Sequence, residues 1–200
     1  MRWLLVIGLI AAIAVIVAAL GYQAPEPSSL SSSSVISPSD APPSQHRDVL
    51  SEADGAVPDG VTVFDDAIPA VANLDPGLLK ALRQAATAAA ADGVEFYVNG
   101  GWRSPEYQNQ LLRQAVSKYA SEDEAARWVA TAATSPHVSG NAVDIGRSDA
   151  TAWLSEHGAE YGLCQIYRNE PWHYELRTSA LGRRCPRMYA DPTQDPRMQQ

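Results

Sequence analysis

Cysteine is scarce: Cys164 and Cys185 are the only two. They stand far apart, so a C-x-x-C metal knuckle or redox motif is excluded. Positive charge is also in short supply. Fifteen Lys and Arg face 23 Asp and Glu, for a net charge of −8 at pH 7. That balance excludes nucleic acid as a partner, because neutralising phosphates needs Lys and Arg. A small anionic peptide remains within reach, since one or two placed cations suffice to hold it. No internal repeat is visible, which excludes solenoid architectures. What is present is a 200-residue chain with 46% hydrophobic content, enough for one compact domain with a core.

The longest apolar run lies at the N-terminus, where residues 3–20 read WLLVIGLIAAIAVIVAAL behind Arg2. It approaches the roughly 20 residues that cross a bilayer and exceeds the usual signal-peptide core of about 7–15. No cysteine follows it, which speaks against a lipoprotein signal, and no clean A-x-A cleavage site is seen. Residues 1–22 are therefore expected to form a membrane anchor, with a cleaved signal segment as the alternative. Either way the rest of the chain is expected outside the cytoplasm, in line with Arg2 on the inner side. Residues 23–60 are rich in Ser, Pro, Ala and Asp and poor in aromatic and branched side chains. They are expected to be a flexible spacer that buries too little apolar surface to order. His46 within it reads as a solvated residue.

A folded domain is expected over 61–190, with 191–200 as a C-terminal tail. Asp75-Pro76 pairs an N-cap with proline at the first helical position. Leu78, Leu79, Leu82, Ala86 and Ala89 then recur at helical spacing up to Asp92-Gly93. Residues 94–98 read as a strand broken by Gly100-Gly101. Ser104-Pro105 caps a second helix to about Tyr119, and Ser121 with Glu124 starts a third, short one. Residues 142–145 read as a strand, Asp149 as the cap of another helix, and 164–167 and 172–176 as two further strands. Helices and strands mix without regular βαβ alternation, so the class is α+β.

Three blocks carry chemistry: GWRSPEYQ from Gly101, SPHVSGNAVD from Ser135 and EPWHYEL from Glu170. Zinc catalysis needs three His or carboxylate ligands and one open position. Gly140, between His137 and Asp144, can adopt positive φ and turn the chain so that both side chains reach one point. His173 supplies a third donor, with Glu170 three residues before it. Pro171 forbids a helix interior there. In a regular strand i and i+3 face opposite sides, so a turn or bulge near Pro171 is required if both are to serve one site.

These blocks resemble the VanY-type D-alanyl-D-alanine carboxypeptidases, zinc peptidases that share a fold with the hedgehog signalling domain. The S-x-H-x-x-G-x-A-x-D pattern falls on Ser135, His137, Gly140, Ala142 and Asp144. E-x-W-H falls on Glu170, Trp172 and His173, and R-S-x-x-x-Q on Arg103, Ser104 and Gln108. The resemblance covers about 75–176 and implies a small, mostly antiparallel sheet with flanking helices. It implies that His137, Asp144 and His173 hold Zn2+ and that Glu170 is the general base. It implies Arg103 at the developing oxyanion or on a substrate carboxylate, and Ser135 and Gln108 along the substrate groove. The implied reaction removes a C-terminal D-alanine from a peptidoglycan stem peptide.

Other readings stand beside these. Fold alone does not settle function, so a non-catalytic, zinc-stabilised wall-binding module is a rival, against which Glu170 speaks because binding needs no base. An L,D-carboxypeptidase or an endopeptidase is a further alternative. Ser135 can be a turn residue, Gln108 and Arg103 surface residues, and Tyr174 and Glu175 ordinary strand positions. Trp172 reads as packing beside the site, and Trp102, Trp128 and Trp153 as core or half-buried. His157 reads as solvent-facing. In an extracytoplasmic setting, a Cys164–Cys185 disulfide is expected in place of two buried thiols.

Overall fold

The computed structural model describes residues 50–199. The apolar segment of residues 1–22, and most of the 23–60 stretch with His46, lie outside the described residues. No helix among the described residues is long and apolar enough to cross a membrane. Five α-helices are present there: α1 (Pro69–Ala72), α2 (Pro76–Ala91), α3 (Pro105–Tyr119), α4 (Glu122–Ala126) and α5 (Ser148–His157). Four strands accompany them: β1 (Val98–Gly100), β2 (Ala142–Ile145), β3 (Leu163–Gln165) and β4 (His173–Leu176). The strands form one antiparallel sheet in the order β1-β2-β4-β3. The expected α+β class and small antiparallel sheet are what the chain adopts.

Helix starts follow local chemistry. Asp75 accepts from the amides of Gly77 and Leu78 at 2.9 and 3.0 Å, which satisfies donors that a helix N-terminus leaves open. Ser104 does the same for Tyr107 at 3.1 Å, with Pro105 at the first helical position. Asp149 is not a cap: α5 begins at Ser148, one residue earlier, after Arg147 at φ 66°.

The sheet has one face for packing and one for chemistry. Successive strand side chains point to opposite faces. Val143, Ile145, Leu163 and Tyr174 join the core with Leu78, Leu82, Ala85 and Ala89 of α2, Phe96, and Leu154 of α5. The residues between them, Asp144 on β2 and His173 and Glu175 on β4, fall on the other face. A smaller cluster of Cys164, Ile166, Tyr167 and Ala180 lies beyond β3, where Cys164 and Cys185 are disulfide-bonded.

Other boundaries also differ from the sequence reading. The first strand runs over 98–100 rather than 94–98, because Ile145 and Asp144 of β2 lie opposite Val98 and Gly100. The expected spacer is structured from residue 50. Glu52–Asp54 form a 3-10 turn, and Asp54 receives both the amide of Ser104 at 2.8 Å and its hydroxyl at 3.2 Å. Gly55 is buried against the backbone of Trp102 and Arg103, so this segment is tied to the start of α3. The expected tail is also part of the fold. Asp191 and Asp195 are buried, and Tyr167 donates its hydroxyl to Asp195 at 3.0 Å. Composition missed both segments, because polar contacts with residues distant in sequence help to hold them.

Candidate active site

Register builds the centre of the site. Asp144 and His173 are direct partners in the β2–β4 ladder. His137 arrives from the loop before β2. Gly140 turns that loop at φ 73°, and a Cβ there would meet the carbonyl of Asn73 at 2.5 Å. The turn near Pro171 is present too: the amide of His173 donates to the carbonyl of Glu170 at 3.1 Å, closing a turn with proline at its second position.

His137, Asp144 and His173 thereby bring three donor atoms together. His137 Nε2 stands 3.2 Å from His173 Nδ1 and 3.4 Å from Asp144 Oδ1, and the last two are 3.3 Å apart. Ligand bonds of about 2.0–2.1 Å in a tetrahedron give edges of about 3.3–3.4 Å. The triangle therefore fits three corners of a tetrahedral divalent site. The outward nitrogens are engaged as well. His137 Nδ1 meets the carbonyl of Gly101 at 2.8 Å and His173 Nε2 meets Glu175 Oε1 at 3.4 Å. These acceptors fix each tautomer and leave the inward nitrogens bare.

The electrostatics favour a cation. Burial lowers His173, but Asp144, Glu175 and Glu170 outweigh it and raise it to about 9. Burial and Arg103 lower His137, against the pull of Asp144. Asp144 is held well below the usual carboxylate range: burial opposes this, and His137, His173 and Arg103 overcome it. Glu170, 6% exposed, places Oε2 3.7 Å from His173 Nδ1. Burial raises it to about 7, with Asp144 adding to the rise and His173 and Arg103 opposing. A carboxyl poised near neutrality beside a metal-type triangle is equipped to take and return a proton.

Arg103 donates to Asp144 Oδ2 at 2.6 Å and to Gln108 Oε1 at 3.2 Å. Gln108 is 1% exposed and also donates to the carbonyl of Ala130 at 2.8 Å. It thus braces Arg103 from one turn into α3 rather than lying on a helix surface. Gly100 permits the ion pair, because a Cβ there would lie 2.6 Å from Asp144 Oδ2 and 2.9 Å from Arg103 Nη2. Ser135 is buried, and its hydroxyl has no hydrogen-bond partner among the described residues. A cleft of about 260 Å³ joins these parts, lined by Arg103, Gln108, Ser135, His137, Asp144, Glu170 and His173. Trp128 and Trp172, both more than a third exposed, form part of its rim.

All seven of these predicted residues come together, and the structure adds others. Glu175 is not an ordinary strand position: it is 2% exposed and receives His173, Arg177 and Arg197. Spacing alone puts it on the face of His173, because position i+2 on a strand shares the face of i, but gives no sign of its partners. Arg197 carried no local signal, since its partner lies 22 residues away. Tyr167 sets its ring 5.1 Å from that of His173 at a tilt of 39°, a contact that only the fold creates.

The comparisons with known proteins agree with this geometry. A curated D-alanyl-D-alanine carboxypeptidase from Enterococcus faecalis is 33% identical over 112 residues, which are 44% of this chain and 42% of that protein. The chain thus matches less than half the length of that relative. The solved structure of VanYB in complex with D-alanine-D-alanine is 29% identical, with a TM-score of 0.50, covering 54% of this chain and 74% of that one. The structure of the LdcB LD-carboxypeptidase, at 24% identity and a TM-score of 0.51, covers 64% of this chain and 71% of that one, a likeness of fold. Residues 71–178, more than half of the chain, match the profile of the VanY family, D-alanyl-D-alanine carboxypeptidase, and the chain belongs to that family.

Proposed function

We propose that the protein is a zinc-dependent D,D-carboxypeptidase that removes the terminal D-alanine from peptidoglycan stem peptides. The observation that carries the reading is the triangle of His137 Nε2, Asp144 Oδ1 and His173 Nδ1, with Glu170 Oε2 only 3.7 Å from its nearest corner. His137, Asp144 and His173 would hold the metal. Zinc in such a site acts as a Lewis acid and typically lowers the pKa of a coordinated water from about 15.7 to about 7.

The chain's own residues do the rest. Glu170 takes the proton from the attacking water and delivers it to the amine of the departing D-alanine as the amide C–N bond breaks. Arg103, fixed by Asp144 and Gln108, faces the negative charge that develops on the carbonyl oxygen. A donor in that role is typically worth about 3–4 kcal/mol. Ser135 lines the same cleft and belongs to the substrate groove. A module that only bound the wall would need no buried carboxyl 3.7 Å from a corner of its metal triangle. The domain works outside the cytoplasm, tethered through residues 1–22 or released from them, and its substrate lies on that side.

The test is a rate comparison on pentapeptide, tetrapeptide and cross-linked muropeptides, read by mass spectrometry with zinc present. Release of D-alanine from pentapeptide is expected. Cleavage of tetrapeptide alone moves the assignment to L,D cleavage, and cleavage of cross-links alone to an endopeptidase. Zinc bound with no cleavage of any of the three overturns the peptidase reading.

A further inference from the structure

The segment that follows the last strand reaches back to the metal centre. Arg197 donates Nη1 to Glu175 Oε2 at 2.7 Å and Nη2 to Oε1 at 3.1 Å, a two-point grip on a carboxylate. Glu175 Oε1 in turn meets His173 Nε2 at 3.4 Å. Arg177 pairs with Oε2 from the other side at 2.9 Å. Asp195, fully buried, braces Arg197 through Nε at 3.0 Å and also accepts the Tyr167 hydroxyl at 3.0 Å. Tyr167 packs its ring against the imidazole of His173. Two branches from one short stretch therefore converge on one ligand. One sets the direction of its outward N–H and the other covers its ring face.

We propose that Arg197 is a positioning residue of the metal centre, which locks Glu175 so that His173 presents Nδ1 to the metal. It lies outside residues 71–178, the part that matches the family. Three features support a positioning role over plain packing. Glu175 is buried, so without its cations it carries an uncompensated charge. Its carboxylate is shared between the arginines and the imidazole, so loss of the grip changes the acceptor that orients His173. The fork of a guanidinium fixes a carboxylate plane, which a single ammonium does not. The inference rests on the zinc reading of the site.

The experiment uses the full chain, with wild type, Arg197→Ala and Arg197→Lys. Zinc affinity is measured by chelator competition, beside kcat, KM and the melting temperature of each metal-free form. Removing the group that orients a metal-bound histidine typically costs about 10–100-fold in metal affinity. Arg197→Ala is expected to fall in that range, and Arg197→Lys to lose less. Activity of both should return toward wild type as zinc is raised. A cobalt(II)-substituted Arg197→Ala sample should show a shifted d–d spectrum, which a remote packing change would leave alone. Zinc affinity in Arg197→Ala within twofold of wild type overturns the proposal. Should that variant not fold, unchanged affinity in Arg197→Lys overturns it. Failure of the wild-type chain itself to bind zinc instead overturns the reading of the site.

Discussion

Asp144 and His173 sit directly opposite each other across the β2–β4 ladder, and their donor atoms Oδ1 and Nδ1 are 3.3 Å apart. Two metal donors are thus preset by backbone pairing before any side chain chooses a rotamer. Only His137 depends on a loop, and its Nδ1 is pinned by the Gly101 carbonyl at 2.8 Å. Such a site needs little rearrangement to bind a cation. His173→Ala should therefore leave the strands paired yet abolish both stoichiometric zinc and activity. Metal analysis of the purified variant checks this, and full zinc content would refute the ligand assignment.

Glu170→Gln should retain zinc and lose about 10²–10⁴-fold in kcat, the usual contribution of a general base. The amide keeps the size of the side chain but takes no proton from water. Steady-state kinetics beside metal analysis separates this from a loss of binding. A near-normal rate would assign the proton transfer to another group.

Gly100→Ala should weaken zinc binding although it replaces none of the three ligand residues. Its Cβ would lie 2.6 Å from Asp144 Oδ2 and 2.9 Å from Arg103 Nη2, so the ion pair must shift. Forcing extra volume into such a place typically costs about 1–3 kcal/mol. Isothermal titration with zinc, together with the melting temperature, reads the two effects. An unchanged affinity would mean that Arg103 and Asp144 yield without moving the metal triangle.

Reducing the Cys164–Cys185 disulfide should destabilise the domain by about 3 kcal/mol, as expected for closing a loop of this length in the unfolded chain. Denaturant unfolding of the wild type and a Cys164→Ala/Cys185→Ala variant gives the difference. Neither cysteine is among the three metal-type donors His137, Asp144 and His173, so the folded variant should still bind metal.

Acid sensitivity should trace to Asp195. Burial pushes its carboxyl up, but bonds from Arg197 and from the Tyr167 hydroxyl outweigh this and hold it below the usual range. Its folded-state pKa is lowered, so its contribution is fully present above the unfolded value of about 3.9 and is lost as pH falls through the folded one. Asp195→Asn should accordingly melt lower than wild type at pH 7. The gap should close as pH drops below about 4. A gap that stays constant with pH would show that packing, not charge, is what the variant loses.

Sequence reading reached the helices α2 and α3 and strand β2 through caps and periodicity, which are local. It reached His137, Asp144, Glu170 and His173 because the glycine turn and the proline turn that gather them are also local. It stopped at Glu175 because a lone acid in a strand carries no mark until its neighbours are known. It stopped at Arg197 for the same reason and at residues 50–60 because polar composition resembles that of a spacer. There, Asp54 is held by two hydrogen bonds from Ser104 and Gly55 by a close backbone fit to Trp102 and Arg103, not by a hydrophobic stripe.

The two-faced sheet has an evolutionary consequence. Odd and even positions of β2 and β4 serve different masters: Val143 and Tyr174 the interior, Asp144 and His173 the reaction. Deleting or inserting one residue in either strand would exchange those duties, aiming carboxylate and imidazole into hydrocarbon and aliphatic side chains at the metal. Descendants of this chain can therefore lengthen their connecting loops with relative ease. Within these two strands they can change length only in steps of two.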